Sequence, residues 1–195
     1  NTAEDNVYKD LVGANKEGQA VIDLGRLDEN GSEVDIVKIE TQEDASTGTN
    51  IGISTAGSTN PVIFEADNKS LSVTSKASGE AKGISATGAN VEINGAGYVT
   101  IEAASTNGSA SAIYASGKDV TIESSETVKL IATGGTGAVL HAAAGSNVNI
   151  DGKVEIDNKD KVAIEVANGA TVNIGGGVID AGKEGTAIVV TGDDS

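Results

Sequence analysis

The chain has no cysteine, no methionine and no tryptophan, and among its 195 residues only one proline, one arginine (Arg26), one histidine (His141) and four aromatics. Without cysteine there is no disulfide framework, no thiolate zinc site and no thiol nucleophile. With aromatics at 2% the core has to come from Val, Ile, Leu and Ala, because the rings that usually supply buried area are missing. No apolar run approaches the roughly 18–20 residues that a membrane-spanning helix needs. Positive charge is also scarce. Thirteen basic residues face 29 acidic ones, a formal charge of −16 that repels phosphate backbones and anionic lipid, so neither nucleic-acid binding nor direct membrane insertion is expected. The first residues, Asn1-Thr2-Ala3-Glu4-Asp5, lack a basic and an apolar region, so any signal peptide is expected to have been removed.

What is present is strictly patterned. Short β-branched alternations recur, as in Val91-Glu92-Ile93, Val120-Thr121-Ile122, Val148-Asn149-Ile150 and Val172-Asn173-Ile174, each bounded by Gly, Asn, Asp or Ser. Alternation at period two with turn residues between is the pattern of half-buried strands, and it excludes a disordered acidic chain. A second set opens each repeat at Ile84, Ile113, Val139, Ile164 and Ile188, with steps of 29, 26, 25 and 24 residues. A third follows at Val99/Ile101, Val128/Leu130, Val154/Ile156 and Val178. Three short strands and three corners per roughly 25 residues describe one coil of a parallel β-helix, in which equivalent side chains pile up at the strand spacing of about 4.8 Å. A sandwich pairs successive strands antiparallel and needs no such register.

The expected fold is therefore all-β, a right-handed single-stranded parallel β-helix of about seven coils with three strands per coil. Regular coils are expected over residues 62–191 within a helix spanning 31–195, behind an irregular N-terminal cap over 1–30 with one short helical turn around Asp5–Leu11. The stretch Val62–Val73 matches the later stretch from Ala163 to Ile174, which makes its coil short and leaves it without a third strand. Thr186–Gly192 opens a new first strand and stops, so the native polypeptide is expected to continue. Asn90, Asp119, Asn147 and Thr171 share one corner position and should form a polar ladder bonded from coil to coil.

These coils, from about 62 to 191, with Asn- and Gly-rich corners such as Ala143–Asn147 and Ala167–Thr171, resemble the passenger region of a bacterial autotransporter (type V secretion), a class of right-handed β-helical surface proteins. The lack of cysteine fits such passengers, which cross the periplasm and an outer-membrane pore unfolded. The resemblance implies a secreted protein displayed at the bacterial cell surface from the outer membrane. The membrane barrel and C-terminal autochaperone of that class are absent from this sequence. So are a Gly-Asp-Ser-Gly protease motif and the Asn-Pro-Asn-Gly-Ile signature of two-partner haemagglutinins.

Catalysis is not expected. The best carboxylate pairs, Glu123 with Glu126 and Asp157 with Asp160, fall at corners, and the sugar-stacking aromatics of a polysaccharide lyase or hydrolase are nearly missing. His141 reads as a packed or corner imidazole in line with Ala86, Ala115, Val166 and Val190. The Asp28–Asp35 segment echoes a calcium loop without its terminal Glu, and Gly175–Asp180 misses the calcium-roll pattern, so no metal and no cofactor are expected. Gly134–Gly137 is a loop with no Lys-Ser/Thr to make a phosphate cradle. The residues projecting from the first strand, Ser85, Tyr114, Leu140, Glu165 and Val189, form an apolar column, and Tyr114 with Leu140 is the expected contact point. A second candidate is the acidic residues 1–50, with 12 acidic and 4 basic groups. The expected function is adhesion, to a host-surface protein or glycan or by self-association between bacteria. The alternatives are a polysaccharide-degrading β-helix enzyme and a passive stalk.

Overall fold

The computed structural model describes residues 12–14, 20–24, 35–42, 48–158 and 161–192. Among them there is no helix; parallel strands wind into a β-solenoid of about five turns, two fewer than the repeat count implies. Each turn passes three faces. The first holds β2 (Ala20–Asp23), β5 (Val62–Glu65) and β8 (Val91–Ala96), then the leading halves of β11 (Val120–Thr133), β13 (Asn147–Asn158) and β15 (Thr171–Asp180). The second holds β3 (Ile36–Gln42), β6 (Ser70–Ala77), β9 (Val99–Ser105) and the trailing halves of the same three long strands. Because β11, β13 and β15 run around one corner, these two faces merge into a ten-stranded sheet. The third face is a separate six-stranded sheet: β4 (Asn50–Ser54), β7 (Ala81–Ala86), β10 (Ala110–Ser116), β12 (Ala138–Ala143), β14 (Val162–Ala167) and β16 (Thr186–Thr191). One strand departs from the parallel scheme, β1 (Val12–Ala14), which lies antiparallel along β2.

The alternating residues do what their pattern predicts. On the first face Val62/Phe64, Val91/Ile93, Val120/Ile122, Val148/Ile150 and Val172/Ile174 stand in register. On the second, Leu71/Val73, Val99/Ile101, Val128/Leu130 and Val154/Ile156 do the same. Ile84, Ile93, Ile101, Ile113, Ile122 and Leu130 are all 0% exposed, each withdrawing a side chain that contributes roughly 1.5–3 kcal/mol.

The spacing expectations need three corrections. Val62–Glu65 lies on the first face beneath Val91, and Leu71/Val73 lies beneath Val99/Ile101, so this coil does have its third strand: Ile53 on β4 stacks with Ile84. Every face uses the same Val-x-Ile alternation, which marks an inward strand without saying which face it belongs to. In the fourth repeat, Leu140 and not Val139 stands in register with Ile113 and Ile164. The third-face ladder is then Ile53, Ile84, Ile113, Leu140, Ile164 and Ile188, with steps of 31, 29, 27, 24 and 24 residues, so the coils shorten along the chain. Phe64, the only phenylalanine, is buried in the longest of these repeats. Finally, Val154 aligns with Gly177 and not with Val178, and Ile156 with Ile179. The corner before it is one residue shorter in the last coil, and Val178 is consequently 59% exposed. The helical turn expected at Asp5–Leu11 lies outside the described residues.

The corners are tied as the ladder expectation requires. Asp119 N–H donates to Asn90 Oδ1 at 3.0 Å, and Asn147 N–H donates to Asp119 Oδ1 at 2.7 Å, joined by the Asn147 side-chain amide at 3.1 Å. Thr171 instead receives its coil-to-coil bond through the backbone, donating to the Ser146 carbonyl at 2.9 Å. Buried Thr55 does the same work at another corner: its hydroxyl accepts N–H bonds from Thr87, Gly88 and Ala89 and donates to the Ala89 carbonyl at 2.8 Å.

Candidate functional site

The register of the six-stranded sheet determines which side chains share its outer column. Ser54, Ser85, Tyr114, His141, Glu165 and Val189 are successive partners across β4, β7, β10, β12, β14 and β16. The sequence expectation placed Leu140 here. That is corrected: Leu140 belongs to the inner ladder and is 0% exposed, and its neighbour His141 takes the outer position. His141 likewise does not line up with Ala115 and Val166, as expected; Ala142 does. Ser85 is almost fully covered, at 3% exposed, whereas Tyr114, Glu165 and Val189 are half-buried.

Adjacent strands lie about 4.8 Å apart, so rings in register are forced to stack. Tyr114 and His141 do so with centroids 4.9 Å apart and planes 5° from parallel. On the preceding coil the Lys82 ammonium sits 3.9 Å from the Tyr114 ring centre, a cation held by the ring's negative face. It is also paired with Glu80 at 3.1 Å. On the following coil His141 Nδ1 donates to Glu165 Oε2 at 2.9 Å; a carboxylate can only accept, so Nδ1 carries the proton. The result is an ordered file of ammonium, phenol, imidazole and carboxylate along the rod. Both faces of the Tyr114 ring are occupied by its neighbours. A sugar therefore has no open π-face to stack on, and a partner meets ring edges, the phenol and polar tips.

The surroundings of this file are distinctive. The strands of the six-stranded sheet carry one basic and one acidic residue, Lys82 and Glu165, besides His141. The strands of the ten-stranded sheet carry eleven acidic and four basic residues. Ser54, Ser111, Ser116 and Ala143 flank the file, so the face is low in relief as well as in charge.

The other candidates are not drawn together. Glu123 and Glu126 are both exposed; Glu123 stands in register with Asp151 at the edge of the irregularity in β11, and Glu126 lies within it. Asp157 is exposed, and Asp160 lies outside the described residues. Of Asp28–Asp35 only Asp35 is described, and Arg26 is not. Asp23, Glu65, Asp67 and Asn94 border a shallow open groove on the first face, where the Asn94 side-chain amide donates to Glu65 at 3.0 Å. Among the described residues no group of three or more His, Asp or Glu side chains is placed to hold a metal ion. The glycine loop at 134–137 is structural: Gly134 and Gly135 have φ of +71° and +62° and pack on the Ser105 and Gly108 carbonyls. The Lys161 ammonium donates to the Gly134 carbonyl, and burial holds it below the ordinary lysine value.

Sequence reasoning missed His141 and Lys82 as members of the site. A signal for His141 was available. Counting forward to the next ladder, Ile84 to Val91 and Ile113 to Val120 are 7 residues, and Leu140 to Val148 and Ile164 to Val172 are 8, whereas Val139 would need 9. Comparison with protein-family models, with curated proteins and with solved structures finds no match to this chain.

Proposed function

We propose that this chain is a segment of a secreted, surface-displayed bacterial protein that works by contact, an adhesin, and that its working surface is the outer face of the six-stranded sheet. The observation behind this reading is the Lys82–Tyr114–His141–Glu165 file. It is an ordered aromatic and charged column on the sheet whose described strands carry no net charge, in an otherwise acidic rod. Tyrosine edges flanked by paired charges favour recognition of a macromolecular surface, because each polar group is already positioned and little side-chain entropy is lost on contact. Autotransporter-type secretion is the proposed route. The cysteine-free β-helix supports it, since nothing covalent obstructs passage of an unfolded chain.

The test is display of the chain on beads or cells, scored for binding to epithelial cells, to mucin-type glycoprotein and to one another. Tyr114→Asp and His141→Asp should each lower binding at least tenfold while leaving the melting temperature within a few degrees. Unchanged binding in both variants would remove the file from the contact surface, and no binding by the wild type would leave a passive stalk.

A further inference from the structure

We infer that the partner of this face is a second copy of the same chain, packed face to face with the two rods running in opposite senses; this rests on the contact reading above. Three observations converge on it. The first is the partition of charge. At −16 overall, two copies repel through any approach that brings their ten-stranded sheets together, where acidic residues outnumber basic ones eleven to four. The six-stranded sheet, with one Lys and one Glu, is the face through which two copies meet without that repulsion. The second is that both charged groups already have polar partners within the chain. Lys82 is held by Glu80 and the Tyr114 ring, and Glu165 accepts a hydrogen bond from His141, so covering the face leaves neither group without a partner.

The third is the order of the file. A two-fold axis lying in the face along the strands, midway between β10 and β12, exchanges β4 with β16, β7 with β14 and β10 with β12 of the other copy. It sets the Lys82 end of each file over the Glu165 end of its mate, and Tyr114 over His141, twice per pair. Such an interface is self-complementary, the requirement for a closed dimer.

The area fixes how tightly the copies hold. Six strands about six residues long span roughly 25 by 20 Å, on the order of 500 Å² per copy. A stable complex needs about 800 Å² per partner. The single contact is therefore weak, and it becomes effective when many copies on one surface meet many on another.

Beads carrying the purified chain test this in two colours. Wild-type beads should clump. Lys82→Glu beads and Glu165→Lys beads should each clump at least tenfold less among themselves, since like charges then cross. Mixed together, the two sets should clump near the wild-type level, because both crossings are again opposite in sign. Ser54→Glu, an exposed position facing Val189 of the other copy, should also reduce clumping, and circular-dichroism melts check that each variant is folded. If Lys82→Glu does not fold, Glu165→Lys and Ser54→Glu decide the matter, and clumping unchanged in both overturns the inference. Folded variants that fail to recover on mixing overturn the opposed arrangement. Wild-type beads that bind epithelial cells in a Tyr114-dependent way yet never clump remove the second copy and leave the contact reading standing; beads that do neither remove both.

Discussion

The two sheets of this solenoid share one interior and have opposite exteriors. Inside, both present ladders of Val, Ile and Leu, fully buried through the middle coils and opening to solvent at the last one, where Ile188 is 55% exposed. Outside, the ten-stranded sheet shows Glu, Asp, Lys, Thr and Asn, while the six-stranded sheet shows Ser, Ala and a single file of larger side chains. The contrast separates two demands on one chain. Stacking fixes every inward position because a misfit is felt by the coils on both sides. Outward positions answer only to solvent or to a partner, so that is where a departure from the acidic norm carries information about function.

Two neighbouring residues of β12 set the interior against the exterior. Leu140→Ala should cost about 2–5 kcal/mol, the range for deleting a fully buried leucine side chain. His141→Ala, one position along and half-buried, should change stability by less than about 1 kcal/mol. Chemical denaturation of both variants checks this, and comparable losses would mean the register of β12 is wrong. Next in size is Gly83→Ala. A Cβ there meets Ile101 and lies 2.6 Å from the Ala112 carbonyl, a crowding of side chain and backbone that should cost about 1–3 kcal/mol. Asp119→Ala removes the acceptor for two donors of Asn147, and a loss of about 1–2 kcal/mol is expected, as for a lost cap. A smaller loss would show that water replaces the carboxylate at that corner.

The smallest expected effect concerns pH. Burial lowers the Lys161 pKa in the folded state, so between that lowered value and the unfolded value the unfolded chain binds more protons. Stability should therefore rise with pH over the approach to about 10.5, and Lys161→Met should flatten that rise in denaturation midpoints measured from neutral to alkaline pH.

The fold was legible because a solenoid states each rule several times: Val-x-Ile recurs on every coil, and the aliphatic ladders follow from it. What alternation does not encode is which face a strand occupies, as Val62–Glu65 demonstrates. It also does not settle register where two apolar residues adjoin. In Ala138-Val139-Leu140, all three residues are buried. Ala138-Val139 mimics Ala112-Ile113 so closely that the outer position passed from His141 to Leu140. The outer column was therefore half legible. Tyr114, Glu165, Ser85 and Val189 were placed on the right column, while His141 was lost to a one-residue slip. Lys82 was missed because its place over the Tyr114 ring comes from a long side chain reaching to the next coil, and no spacing rule within one strand signals that.

The shortening of the winding, from 31 residues per coil near the start to 24 near the end, has a mechanical consequence. Pulled from one terminus, a rod of this kind gives up its coils one after another, and each freed coil lengthens the tether by its own contour. At roughly 3.4 Å per residue that is about 8 nm for the smallest coil and about 10 nm for the largest. The direction of peeling would thus be written in the force–extension trace itself, as a staircase whose treads widen or narrow according to the end that is held.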